Sequence, residues 1–260
     1  MDNGLKPVGL FDSGVGGTSI WKEIHTLIPA ENTIYLADSS NAPYGQKSKE
    51  EIIELSIKNT EYLLNLNCKI IVVACNTATT NAIQELRARY DVNFIGIEPA
   101  IKPAALQTLT GTVGILATKG TLNSELFHKT VSGYTNIKII EQVGHGLVQL
   151  IEEGKLGSVE LDELLKSYLN PMIEANIDCL VLGCSHYPYL IPQIKKILPA
   201  AVKIIDSGQA VAKQTKNILE KNNMLTTYTG KGNCIFYTNV NPGVLANIVG
   251  KGYSITEKHF

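Results

Sequence analysis

Short apolar runs and longer amphipathic segments alternate along the whole chain. The apolar runs cover 6–11, 33–37, 69–74, 92–97, 112–117, 137–140, 178–183, 202–205 and 234–238. Each has strand length and most are rich in Val and Ile, so each reads as a β-strand. The runs "IIVVAC" and "CLVLGC" carry apolar residues on both sides of the pleat, as strands covered on both faces do. Between the runs lie helical patterns. Ser48 followed by Glu51 is a capping-box pattern and predicts a helix over 48–66. Regular strand–helix alternation predicts an α/β fold with parallel sheets and helices on both faces.

A faint repeat refines this picture. "VGLFDSGVGGTS" at 8–19 resembles "VGILATKGTLNS" at 113–124, and "VVACNTATTNAI" at 72–83 resembles "VLGCSHYPYLIP" at 181–192. The repeat predicts two pseudo-symmetric parallel-sheet α/β lobes with the active site in the cleft between them. The expected lobes are 1–97 plus 208–260, and 98–207. In open parallel sheets ligands bind beyond the carboxyl ends of the strands. Asp12, Cys75, Thr118 and Cys184 all fall at such ends, where Cys75 and Cys184 can meet a ligand from opposite sides.

A pair of opposed thiols suits proton transfer at the two faces of one carbon. One thiolate removes a proton, the other thiol delivers one, and a stereocentre inverts. Both cysteines precede expected helix starts, where a helix N-terminus favours the thiolate. Each positioned acid–base group supplies about 10²–10⁴-fold, so orientation and carbanion stabilisation must supply the rest. Asn76, Thr77, Ser185 and His186 follow the cysteines directly and can hold a substrate carboxylate. "FDSGVGG" at 11–17 is a Gly-rich turn suited to an anion, with Asp12 at its entrance. "NAPYGQKS" at 41–48 offers a shaped turn and the Tyr44 hydroxyl.

Composition narrows the classes. The 260 residues carry a formal net charge of −1, which argues against a nucleic-acid surface. No apolar stretch approaches a membrane span, and the N-terminus lacks a signal peptide's pattern, so a cytoplasmic protein is expected. Five cysteines without a CxxC pair argue against a disulfide framework and a structural zinc site. Neither GxGxxG nor a phosphate-binding GxxxxGK[ST] loop is present, and no cofactor is expected.

Taken in order, "FDSGVGG", "APYG", "ACNTA", "PA", "ATKGT" and "GCSHYP" resemble the glutamate racemases, from Leu10 to Asp206. The resemblance implies cofactor-independent racemisation that supplies D-glutamate for peptidoglycan synthesis, with glutamate as the small-molecule partner, and allows a homodimer. It implies that Cys75 abstracts the proton of the D-enantiomer and Cys184 that of the L-enantiomer, assisted by Asp12 and His186. It further implies substrate binding by Asp12, Ser13, Tyr44, Gly45, Asn76, Thr77, Ser185 and His186, with Thr118 and Thr121 as second contributors. Glu152 corresponds to a further family acid. Two stretches depart from the family. Ser185 stands where threonine is usual, and "QVGHGLVQLIEEG" lacks a Cys-Pro pair. The first strand begins near Lys6, so activation through an N-terminal extension is not expected. An aspartate racemase, a cysteine hydrolase using Cys184 and His186, and a two-lobed amino-acid-binding protein remain alternatives.

Overall fold

The structure is a computed structural model and describes residues 3–260. Its strands are β1 (Val8–Asp12), β2 (Thr33–Ala37), β3 (Ile70–Val73), β4 (Phe94–Gly96), β5 (Thr112–Ala117), β6 (Lys138–Val143), β7 (Cys179–Gly183), β8 (Lys203–Ile205), β9 (Cys234–Thr238) and β10 (Ser254–Glu257). They form two sheets. One has six strands in the order β10-β9-β2-β1-β3-β4, the other four in the order β6-β5-β7-β8. Every pairing is parallel. These are two parallel-sheet α/β lobes, the architecture the alternation predicts.

The repeat is visible strand by strand. The order β2-β1-β3-β4 in one sheet recurs as β6-β5-β7-β8 in the other. Leu10 of β1 pairs with Val72 of β3, and Ile115 of β5 pairs with Val181 of β7. The two register pairs superpose under the same sequence alignment that reveals the repeat. The last two strands break the symmetry: β9 pairs with β2 and β10 with β9, both extending the first sheet.

Burial explains which runs form which strands. β1, β2, β3, β5 and β7 are buried at every position, and all five lie inside their sheets with a paired strand on each side. β6 lies at an edge and is half exposed. Helix α1 (Thr18–Leu27) buries Ile20, Trp21 and Ile24 on the first sheet. There the Trp21 ring meets Phe236 of β9 edge to face, 4.7 Å between centroids. Helix α2 (Lys49–Asn65) opens with the predicted capping box. Ser48 Oγ accepts from the Glu51 N–H, and Glu51 accepts from the Ser48 N–H. Such caps stabilise a helix by about 1 kcal/mol. Helix α3 (Asn76–Arg89) follows β3 after only Ala74 and its N-cap Cys75.

At the amino ends of the strands, Lys69 and Glu31 form a buried ion pair at 2.5 Å. Lys69 Nζ also donates to the Gly4 and Met224 carbonyls, and Glu31 accepts from the Thr226 N–H. This knot fixes the sheet floor, opposite the face that carries the chemistry.

Candidate active site

Asp12 ends β1, Cys75 follows β3, Thr118 follows β5 and Cys184 follows β7. The carboxyl ends of β1, β3, β5 and β7 therefore face one cleft. Cys75 and Cys184 line the same cavity, together with Ser13, Asn76, Thr77 and Thr118. Tyr44, Gly45, Ser185 and His186 complete the predicted set on its wall, and Pro43 and Val148 add apolar surface. The cleft is nearly shut. Only about 10 Å³ of it can take the centre of a water molecule. Asp12 and Thr121 lie one layer behind the wall, both fully buried.

On the Cys75 side, Sγ accepts from the Ala78 N–H at 3.4 Å and lies 3.7 Å from Ser13 Oγ. The helix N-terminus is present as expected, but it does not set the protonation state. Burial pushes the Cys75 thiol well above its usual value, and the Asp12 carboxylate adds to this. Desolvation of an anion outweighs one N–H donor. Asn76, the next residue, keeps both side-chain amide atoms buried without a hydrogen-bond partner. A buried amide of this kind costs free energy unless something else satisfies it, so it marks a place for a polar guest.

The Gly-rich turn 13–17 is held from below. Asp12 Oδ2 accepts from the Gly17 N–H at 2.9 Å and the Gly14 N–H at 3.3 Å. Tyr35 donates its hydroxyl to the Gly14 carbonyl at 2.7 Å. Two glycines here are demanded by close approach. A Cβ on Gly16 would stand 2.2 Å from His186 Nδ1, and one on Gly14 1.9 Å from Glu152 Oε1. Burial raises Asp12 above the usual carboxylate range, against the opposing pull of His186 and the Gly17 N–H.

On the Cys184 side the expected helix does not start at once. A turn carries Ser185 and His186, a short 3₁₀ segment spans Tyr187–Leu190, and the regular helix runs only over Ile191–Ile197. Pro188 and Pro192 cannot donate, so each fits only at the start of its own helical segment. His186 Nδ1 comes within 3.7 Å of Cys184 Sγ, and Nε2 within 2.6 Å of Glu152 Oε1. Burial pushes the ring's pKa down, but the bonds to Cys184 and Glu152 and the Asp12 charge outweigh it, holding it well above the usual value. A protonated ring donates Nε2–H to Glu152. The nearby Gly16 N–H at 3.2 Å would need the opposite tautomer, so we assign the proton to the Glu152 bond. Ser185 Oγ donates to Asp12 Oδ1 at 3.1 Å, joining the two halves.

Glu152 closes the helix Leu147–Glu152, which starts at Gly146 with φ of +77°. It is the site residue that the residue pattern alone does not expose, because its partners Val15 and His186 are distant in sequence. Only the resemblance pointed to it. Tyr44 differs from expectation in detail. Its hydroxyl does not serve the cavity but is bonded to the buried Asp38 and accepts from Asn59 at 3.0 Å. Thr77, Thr118 and Thr121 form a hydroxyl triangle across the cleft, with Oγ1 separations of 2.8, 3.2 and 3.0 Å.

Fold and site together define a two-lobed parallel α/β protein with one thiol from each lobe in a shared cavity. The sequence matches the Asp/Glu/Hydantoin racemase family over residues 10–215. It is 42% identical over 244 residues to a glutamate racemase from Herpetosiphon aurantiacus, covering 94% of this chain and 96% of that relative. Among solved structures, a glutamate racemase isoform from Bacillus anthracis superposes with a TM-score of 0.87 at 28% identity, covering 98% of each chain. A glutamate racemase from Francisella tularensis in complex with D-glutamate gives 0.85 at 29% identity, covering 100% of this chain and 98% of that one. The chain belongs to the Asp/Glu/Hydantoin racemase family, among its glutamate racemases, and is an amino-acid racemase.

Proposed function

We propose that this protein interconverts L- and D-glutamate by two-base proton transfer between Cys75 and Cys184, supplying D-glutamate for peptidoglycan synthesis in the cytoplasm. The observation that carries the reading is the placement of both thiols in one cavity, at the ends of the pseudo-equivalent strands β3 and β7. Cys184 takes the α-proton of L-glutamate while Cys75, held as a thiol by burial, gives its proton to the opposite face. For D-glutamate the roles reverse. The unpartnered Asn76 amide and the Thr77 and Ser185 hydroxyls bind the substrate's carboxylates, and Ser13 and the loop at Tyr44–Gly45 complete the wall. Asp12 assists on the Cys75 side, and His186, held by Glu152, on the Cys184 side. The mechanism calls for no cofactor.

The moving parts in this reading are a first lobe of 1–97 plus 208–260 and a second of 98–207. Glutamate does not fit a space with room for about one water, so the lobes separate to admit it and close to exclude solvent. The decisive experiment follows the circular dichroism of L- and D-glutamate, and of both aspartates, with dialysed pure protein. Loss of optical activity from both glutamates, far faster than from the aspartates, is the expected result. Racemisation of aspartate alone would replace glutamate as the substrate, and no racemisation at all would end the proposal.

A further inference from the structure

The turn after β2 lies outside the cavity yet touches the machinery on both sides of it. Asp38 is fully buried and begins the turn Ser39–Asn41. Its carboxylate accepts from Asn41 Nδ2 at 2.8 Å, from Asn239 Nδ2 at 2.6 Å and from the Tyr44 hydroxyl. Asn239 returns its own oxygen to the Ser40 N–H at 2.8 Å. Ser39 therefore projects from a clamped turn. Its hydroxyl donates to Glu152 Oε2 at 2.8 Å, across the lobe boundary. The other oxygen, Glu152 Oε1, is 2.6 Å from His186 Nε2 and accepts from the Val15 N–H at 2.6 Å.

The two carboxylate oxygens thus have separate duties. One holds the imidazole beside Cys184, and the other is held by Ser39. A carboxylate secured at one oxygen alone can swing about its own axis, and the short bond to His186 loses its alignment. We propose that Ser39 is a positioning residue for the Cys184 half of the site, acting through Glu152 on His186. This rests on the two-thiol reading above. It predicts an effect confined to one face of the substrate, which a mere contact between lobes would not produce.

The test uses both isomers of a glutamate analogue with a β-leaving group. The α-proton passes to the thiolate facing it, its bonding pair forms the Cα=Cβ bond, and the leaving group departs with its own pair. No proton from the opposite thiol is needed, so each isomer reports on one face. Ser39→Ala should lower elimination from the L-like isomer about tenfold, the scale of one lost hydrogen bond to a charged group. Elimination from the D-like isomer should stay within about twofold, since no such bond is lost on its face. The limb of the L-like pH profile that His186 governs should move to lower pH, because the Glu152 bond is one of the contacts that hold the ring high. Ser39→Thr, which keeps the hydroxyl, should restore both. Ser39→Cys, a weaker donor of similar size, should show the same asymmetry in smaller measure, and it carries the test if Ser39→Ala does not fold. Equal losses from both isomers, or no loss from either, overturn the proposal while leaving the racemase reading intact. A wild-type protein inert toward both analogues and glutamate would remove that reading and this proposal with it.

Discussion

Thr77 Oγ1 lies 2.8 Å from Thr118 Oγ1, so the two lobes meet hydroxyl to hydroxyl at the wall of the thiol cavity. The lobe separation proposed for substrate entry would break this contact. Thr118→Val removes it and should weaken closure by about 0.5–1.5 kcal/mol, the net worth of one such bond. The expected outcome is a KM for glutamate raised several-fold and faster alkylation of the site thiols by iodoacetamide in the absence of substrate. Unchanged alkylation would show that the triangle does not hold the cleft shut.

Gly16→Ala should inactivate without unfolding. The new Cβ would stand 2.2 Å from His186 Nδ1 and 2.4 Å from Cγ, so the ring must leave its place beside Cys184. Overpacking of this kind costs about 1–3 kcal/mol of stability. The loss of turnover should far exceed what that figure would suggest. Turnover and thermal denaturation measured together check it, and an active Gly16→Ala protein would mean the ring position is not needed.

The two thiols should be separable with the same β-leaving-group analogues. Cys75→Ser and Cys184→Ser should each abolish racemisation, because every turnover needs one base and one acid. Cys184→Ser should still eliminate from the D-like isomer, and Cys75→Ser from the L-like one. A shared isomer preference would require a one-base or covalent mechanism instead.

The pH dependence has a definite sign. His186 and Cys75 both titrate higher in the folded protein than in the unfolded chain. Groups raised in this way contribute stability that is fully present below the unfolded value and fades as pH climbs through the folded one. Stability should therefore decline from about pH 6.5 upward through His186, and again above about pH 8.5 through Cys75. Urea melts at fixed pH check this, and His186→Asn should flatten the first decline. Because enantiomers are equal in energy, kcat/KM is the same in both directions at any pH. Any asymmetry between the two directions must therefore appear in kcat and KM taken separately.

Breaking the floor of the first sheet should be costly. Lys69→Met strands the buried Glu31 carboxylate at an expected cost of about 3–5 kcal/mol, whereas Lys69→Met with Glu31→Gln should recover much of it. Denaturant midpoints of the two variants measure the difference.

Much of this architecture is written locally in the sequence. The runs 33–37, 112–117 and 234–238 match β2, β5 and β9 end to end, because each is a mostly apolar run, buried throughout in β2 and β5 and at alternate positions in β9. β10 escaped that pattern. It is an exposed edge strand in which Ile255 is the single strongly apolar residue, and its pairing with β9 comes from the sheet rather than from its own propensity. The cysteines were legible because the repeat sets them in matching places. The helix expected directly after Cys184 begins only at Ile191, behind a short 3₁₀ segment, with Pro188 and Pro192 each at the start of its own segment. Ser39 and Glu152 lie 113 positions apart, and no local period encodes a bond of that span. The raised Cys75 thiol was not legible for a related reason, because the burial that causes it comes from residues as distant in sequence as Phe11 and Tyr44.

Leu10 pairs with Val72 as Ile115 pairs with Val181, so the molecule is built like a symmetric dimer carried on one chain. A true twofold dimer of identical halves would present the same sulfur, in the same surroundings, to each face of the substrate. Here the halves are free to diverge, and they have. Asp12 contributes to the charge around Cys75, while Cys184 has an imidazole braced by Glu152. On the two-thiol reading, a left-handed and a right-handed substrate would thus be met by unlike chemical neighbours, tied to each other through the single carboxylate of Asp12.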